Sequence, residues 1–282
     1  MAKEYEIKSA RWCAVINPDF GGNIVLLSQE GHPVCNPLYD ESKLNENPFI
    51  YGSPMLLPAN RTVNGKFSFE NKEYTLPVTE KSSNANLHGY LYKQKFNVTD
   101  YNSQRISLRF ENKGEIYPFP FEIRTTYSAD GNSFYQRYEI VNTGKTTMPF
   151  TFALHTTFIE PENFSVPIIS EQERNEFFIP TGRLTPLNSQ QRKYATGSQS
   201  KGIEICGYYK SNGNTARIGN LYYRVSDNFD HWVLYNGKGT SGLLCVEPQS
   251  GMVNGLNIKD GYKTLKPKEK VLFTTELFSA DN

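Results

Sequence analysis

Cysteine, histidine and tryptophan are scarce in this chain: its 282 residues hold four, four and two of them. The cysteines (Cys13, Cys35, Cys206, Cys245) are scattered, with neither a CxxC pair nor the spacing of a zinc site, so they read as reduced thiols. Cys13 and Cys245 sit among apolar neighbours and read as small core hydrophobes. An excess of charge of one sign is also missing: 30 Lys and Arg against 29 Asp and Glu leave a net charge of +1. Without a basic cluster, nucleic acid is excluded as a partner. No apolar run reaches membrane-spanning length, and the opening Met1-Ala2-Lys3-Glu4-Tyr5-Glu6-Ile7-Lys8 lacks the apolar core of a signal peptide. The expectation is a soluble, cytoplasmic protein with no membrane partner.

What the chain has is aromatic side chains: 18 Tyr and 18 Phe, with few alanines and few long helical patterns, a composition that favours strands. Alternating runs separated by turn residues fall at 11–16, 23–28, 66–70, 73–77, 96–99 and 106–112. Asn71-Lys72 is read as the turn between the third and fourth. The runs 121–128 and 134–142 flank Ala129-Asp130-Gly131-Asn132, a strong antiparallel hairpin signal. Residues 146–158 read as one strand, 183–215 as loop-rich, and strands resume at 220–226, 231–235, 242–247 and 270–278. Short helical segments are admitted only near 40–44 and 170–176. So many strands must stack. The expected fold is all-β, one large antiparallel β-sandwich spanning 1–282 as a single domain with few short helices. A concave sheet would supply a small-molecule cleft.

Val246-Glu247-Pro248-Gln249-Ser250-Gly251 is the most informative stretch. Glu247 closes the strand-like run Gly242-Leu243-Leu244-Cys245, just before a proline expected to leave the ladder. A carboxylate fixed there is either a buried structural charge, which needs partners, or a catalytic base. His155 ends the apolar run Pro149–Leu154. The common outcome for such a residue is a satisfied core imidazole, but its position at the end of the run suits a side chain facing a cleft. His88, followed by Gly89, reads equally as a loop histidine or as a ligand contact beside a close backbone approach. Asn60-Arg61 reads as a loop with a surface arginine, or as an amide and a planar fork gripping hydroxyls or a carboxylate. A glycosidase pair among Glu160, Glu162 and Glu247 is not announced by spacing, and there is no G-x-S-x-G elbow. A metal held by two His and one Glu stays open, since cross-strand spacing is unreadable and no helix-borne H-x-x-x-H occurs; the site is expected to hold no metal.

Six segments in order resemble the aldose 1-epimerase (galactose mutarotase) family, from about residue 15 to the C-terminus. They are Pro58-Ala59-Asn60-Arg61 with the following hairpin, Asn86-Leu87-His88-Gly89, Leu154-His155-Thr156-Thr157-Phe158, Ile179-Pro180-Thr181-Gly182, Val246-Glu247-Pro248-Gln249 and Leu265-Lys266-Pro267-Lys268-Glu269. The resemblance implies a galactose mutarotase-like fold and a cofactor-free interconversion of α and β anomers of a free hexose. By position, Glu247 would be the base that takes the anomeric hydroxyl proton and His155 the acid that protonates the ring oxygen, flanking the pyranose from opposite sides. His88, Asn60 and Arg61 would hold sugar oxygens, Glu204 would stand in for the family's sugar-holding acid, and Trp232 and Tyr235 would offer a stacking platform. Thr156-Thr157 replaces the Pro-Tyr usual after the second histidine. The expected partner is a small sugar, with the chain a monomer or weak homodimer. Two alternatives remain: a hexose-6-phosphate 1-epimerase, which needs further Arg or Lys on the dianion, and a non-catalytic carbohydrate-binding protein on the same fold.

Overall fold

A computed structural model describes residues 3–279. Two large antiparallel sheets stack face to face. The first runs in the order Asn97–Asn102, Arg105–Asn112, Phe121–Ala129, Ser133–Asn142, Lys270–Ser279, Leu221–Val225, Thr215–Ile218, Phe164–Ser165. The second runs Pro180–Pro186, Ile168–Arg174, Cys206–Ser211, His231–Tyr235, Leu243–Ser250, Phe152–Leu154, Met55–Leu56, with Thr157–Ile159 also paired to Leu243–Ser250. A four-stranded sheet from the N-terminal segment adds to these. This is the antiparallel β-sandwich expected from the alternating pattern. No helix among the described residues is long and apolar enough to cross a membrane.

Aromatic side chains fill the space between the sheets. Phe152 of the second sheet meets Tyr138 and Phe273 of the first at ring distances of 5.6 and 5.0 Å. Phe158 and Trp232 meet Tyr223 across the same layer. All six are essentially inaccessible to solvent, and burial of each such side chain contributes about 1.5–3 kcal/mol. Trp232 therefore belongs to the core, not to a sugar platform. The two-residue period of His231–Tyr235 explains why: Trp232 and Leu234 point inward, leaving Val233 and Tyr235 on the other face.

The hairpin expected around Asp130 forms, with Asp130 Oδ1 accepting the backbone N–H groups of Asn132 and Ser133 at 2.9 and 2.8 Å. Elsewhere local chemistry shifts the boundaries. The turn after Phe69 is Glu70-Asn71, both left-handed, because Phe69 already pairs with Lys72. Residues 146–158 are three short strands rather than one, Met148–Phe150, Phe152–Leu154 and Thr157–Ile159. The polar stretch 183–215 holds an α-helix, Ser189–Thr196, started by a reciprocal capping box between Asn188 and Gln191. Near 170–176 there is strand instead of helix, whereas a 3₁₀ turn at Glu41–Asn45 is capped by Asp40. Pro248 does not end its strand, which continues to Ser250. By register it lies opposite Leu154, at the edge of the interruption between Phe152–Leu154 and Thr157–Ile159, where a missing N–H is tolerated.

Candidate active site

The site is built on that interruption. Ala153 pairs with Gln249 and Thr157 with Cys245, and one register across the gap sets His155 opposite Glu247. Cross-strand partners in an antiparallel pair project to the same face. His155 Nε2 accordingly lies 3.4 Å from Glu247 Oε1. Glu247 also pairs with Val233, and Val233 with Tyr208, so a single row crosses the sheet on this face. All four residues line a cavity of about 320 Å³, within the range of small-molecule sites. The imidazole and carboxyl lie side by side on one wall, not on opposite sides of a ligand.

Asn60 and His88, 28 positions apart, meet because Arg61–Val63 pairs with Ala85–Leu87. Just beyond that pairing the N–H of His88 donates to the carbonyl of Asn60 at 2.8 Å. Both residues have positive φ, 56° and 63°, as does Gly89 at 59°. Such backbone is sparsely populated for residues with a Cβ. A Cβ on Gly89 would come within 2.1 Å of the Leu57 carbonyl oxygen, so only glycine allows this approach. The His88 ring packs edge-on against His155 with centroids 5.3 Å apart, and Phe49 covers both rings. His88 Nδ1 is buried without a hydrogen-bond partner among the described residues.

Arg61 is held by Glu80 through two parallel contacts, Nε to Oε2 at 2.5 Å and Nη2 to Oε1 at 2.7 Å. Its Nη1 donates to the Tyr208 hydroxyl at 2.8 Å. Burial alone would raise the Glu80 carboxyl, but hydrogen bonds from Arg61 and Ser83 outweigh it and hold the group below its ordinary value. Glu247 has no comparable partner. Burial pushes its carboxyl well above the usual range, against a weaker downward pull from Arg61. Burial also drives His155 down to about 4. His88 is held well below its usual value by burial and then by the neighbouring charges of His155 and Arg61. At neutral pH both imidazoles are neutral, each able to donate at one nitrogen and accept at the other.

Of the residues expected from sequence, Asn60, Arg61, His88, His155, Tyr235 and Glu247 all line the one cavity. Glu204 does not. It is exposed in the turn before Cys206–Ser211, where Asn236 pins the backbone of its neighbours Ile203 and Ile205. The second acid on the cavity wall is Glu80, which with Asn47, Phe178, Cys206 and Tyr208 completes a lining that no sequence motif marks. Glu80 and Tyr208 carry no local motif, and only the pairing of distant strands brings them to Arg61.

The stacked sheets define a galactose mutarotase-like fold. A galactose mutarotase-like protein from Clostridium acetobutylicum superposes with a TM-score of 0.89 at 22% identity, over 99% of this chain and 98% of that one. The galactose 1-epimerase from Lactobacillus acidophilus NCFM superposes at 0.77 with 17% identity, over 99% and 98%. The chain belongs to the aldose 1-epimerase family, whose family model matches residues 3–277. Among curated relatives, the chromosomal protein LacX of Lactococcus lactis subsp. lactis is 22% identical over 198 residues. That match covers 60% of this chain and 64% of LacX, so the chain spans less than two thirds of that relative's length.

Proposed function

We propose that the protein is an aldose 1-epimerase that interconverts the α and β anomers of a free hexose, with Glu247 as base and His155 as acid. The observation that carries the reading is the 3.4 Å separation of His155 Nε2 and Glu247 Oε1 within a small cavity. The anomeric hydroxyl oxygen and the ring oxygen are bonded to the same carbon. An acid and a base side by side can therefore serve both oxygens at once.

In the forward step Glu247 takes the proton of the anomeric hydroxyl. The bond from C1 to the ring oxygen breaks, and protonated His155 delivers its proton to that oxygen. The open-chain aldehyde rotates about C1–C2, and reclosure with the proton roles reversed yields the other anomer. Throughout, the pair and the sugar exchange protons without net gain or loss, so the reactive pair holds one proton. Burial prefers that proton on the carboxyl with a neutral imidazole, the arrangement that ring opening leaves behind. The ion pair that opens the ring is therefore the minor arrangement, reached at a cost that forms part of the barrier, and ring opening returns the pair to its preferred one. General acid–base groups contribute about 10²–10⁴-fold each, and positioning by His88, Asn60 and Arg61 supplies a further part.

The neutral sugar is favoured over its 6-phosphate because Arg61, the basic residue on the cavity wall, is already neutralised by Glu80. A carbohydrate-binding protein without activity has no need of a buried pair whose members are displaced in opposite directions from their ordinary values. The test is polarimetry of freshly dissolved α-galactose and α-glucose, extended to other aldoses and their 6-phosphates at low buffer concentration. Faster relaxation to an unchanged endpoint is expected with free hexoses. Saturable sugar binding with unaltered relaxation would overturn the catalytic reading.

A further inference from the structure

Two residues along from the acid–base pair, on the same face of the sheet, stands a second cross-strand pair, Thr157 and Cys245. The Cys245 thiol therefore faces the His155–Glu247 pair instead of the apolar interior. His155 Nε2 or Nδ1, Cys245 Sγ and a Glu247 carboxylate oxygen all lie within 4.8 Å of one another. No other group of three His, Cys, Asp or Glu donors of this kind occurs among the described residues. All three side chains are buried.

We propose that His155, Cys245 and Glu247 form a binding site for a thiophilic divalent cation, zinc being the best match, and that its occupation silences the acid–base pair. The silencing rests on the proposed epimerase function; the binding does not. Zinc takes nitrogen, sulfur and oxygen ligands at about 2.0–2.3 Å in a tetrahedron, which sets neighbouring ligands roughly 3.5 Å apart. The present 3.4 Å between imidazole and carboxylate already has that spacing. A small rotation of the cysteine side chain completes three ligands, and the cavity leaves the fourth position to water or a sugar hydroxyl.

Charge and orientation also fit. One thiolate and one carboxylate neutralise a divalent ion, with the imidazole as neutral third ligand, so the occupied site carries no net charge in a buried place. Binding releases the thiol proton and the carboxyl proton, and so strengthens as pH rises. The Thr157 hydroxyl lies 3.4 Å from Cys245 Sγ and 3.5 Å from His155 Nδ1, where it can orient both ligands from behind. A soft, imidazole- and thiol-seeking ion suits this donor set; magnesium and calcium, which favour all-oxygen sites, do not.

Cobalt(II) gives a readout independent of sugar chemistry. The intact chain should bind one equivalent and show a thiolate-to-cobalt charge-transfer band in the near ultraviolet, displaced by zinc. Cys245→Ser and Cys245→Ala should lose the band, and Cys206→Ser, altered at the thiol on the cavity wall, should keep it. In the polarimetric assay zinc should slow relaxation, reversibly by a chelator and in competition with sugar. Cys245→Ala should raise the zinc concentration for half-inhibition by at least about tenfold. No band in the intact chain, or a band that persists without the Cys245 sulfur, would overturn the site. A band without any effect of zinc on a working epimerase would overturn the silencing, and a chain inactive toward sugars leaves the spectroscopic test in force.

Discussion

The carbonyl of Asn60 accepts the N–H of His88 at 2.8 Å, and both residues hold left-handed backbone where a side chain is disfavoured. Each such residue costs of the order of 1–3 kcal/mol, which the paired strands on either side must offset. Gly89 is the point of closest approach. Gly89→Ala should therefore destabilise the chain by about 1–3 kcal/mol or more and reduce kcat by displacing His88. Urea unfolding with steady-state polarimetry checks both, and an alanine variant as stable and active as the parent would contradict the account.

Glu247→Gln keeps the shape of the side chain and removes the proposed base. Catalysis should fall by about 10²–10⁴-fold while sugar binding, measured calorimetrically, is retained. Stability should move the other way. Because the folded carboxyl is raised above its ordinary value, the folded state keeps a proton that the unfolded chain releases above about pH 4.5. That group's contribution is lost as pH rises, whereas glutamine has no such loss. Thermal unfolding at neutral pH should show a higher Tm for the variant, roughly 2–4 °C for each kcal/mol regained, with the gap closing below pH 4.5.

The pH–rate profile should be bell-shaped. On the acid side activity falls near pH 4, where His155 takes up a second proton for the pair. On the alkaline side it falls where the pair loses its single proton, above the ordinary carboxylate range. The His155 shift also has a stability sign. Between about pH 6.5 and 4 the unfolded histidine binds a proton that the folded one refuses, so stability declines as pH falls through this window. His155→Asn should lessen that decline, leaving the part that buried His88 contributes in the same direction, and slow relaxation, as followed by denaturant titrations at stepped pH and by polarimetry.

Arg61→Lys keeps a charge but not the fork that meets Glu80 twice and Tyr208 once. Loss of charge-assisted hydrogen bonds is worth about 1.5–3 kcal/mol. The expected outcome is a KM raised by about 10–100-fold, if sugar positioning bears the loss, with a smaller change in kcat. Arg61→Ala leaves Glu80 half-buried with only the Ser83 hydroxyl as partner, and should unfold at lower urea concentration, by about 1–3 kcal/mol. Saturation kinetics and unfolding curves of the two variants separate binding from folding.

Much of the fold and of the site is legible in the amino-acid sequence. The hairpin around Asp130 announces itself because alternation and an Asp-Gly turn agree at the same place. Glu247 and His155 stand out as polar groups ending apolar runs, and neighbouring glycine marks His88. What could not be read is register, which depends on pairing between residues far apart in the chain. Register is why His155 and Glu247 are adjacent, why Glu80 rather than Glu204 is the second acidic residue on the cavity wall, and why Trp232 turns inward while Tyr235 does not. The helix at Ser189–Thr196 is hidden in the sequence for another reason. Its eight residues carry a strongly polar composition without an apolar stripe, and the start signal lies in the capping box alone.

The interrupted strand facing Glu247 has a consequence for how such a protein can diversify. Because His155 and Glu247 are spaced by the backbone of one antiparallel ladder, their separation does not depend on the connections that bring Asn47 and Phe178 to the cavity wall. On the proposed function, those connections can be lengthened, shortened or changed in polarity to suit a different sugar while the pair beneath keeps its dimensions.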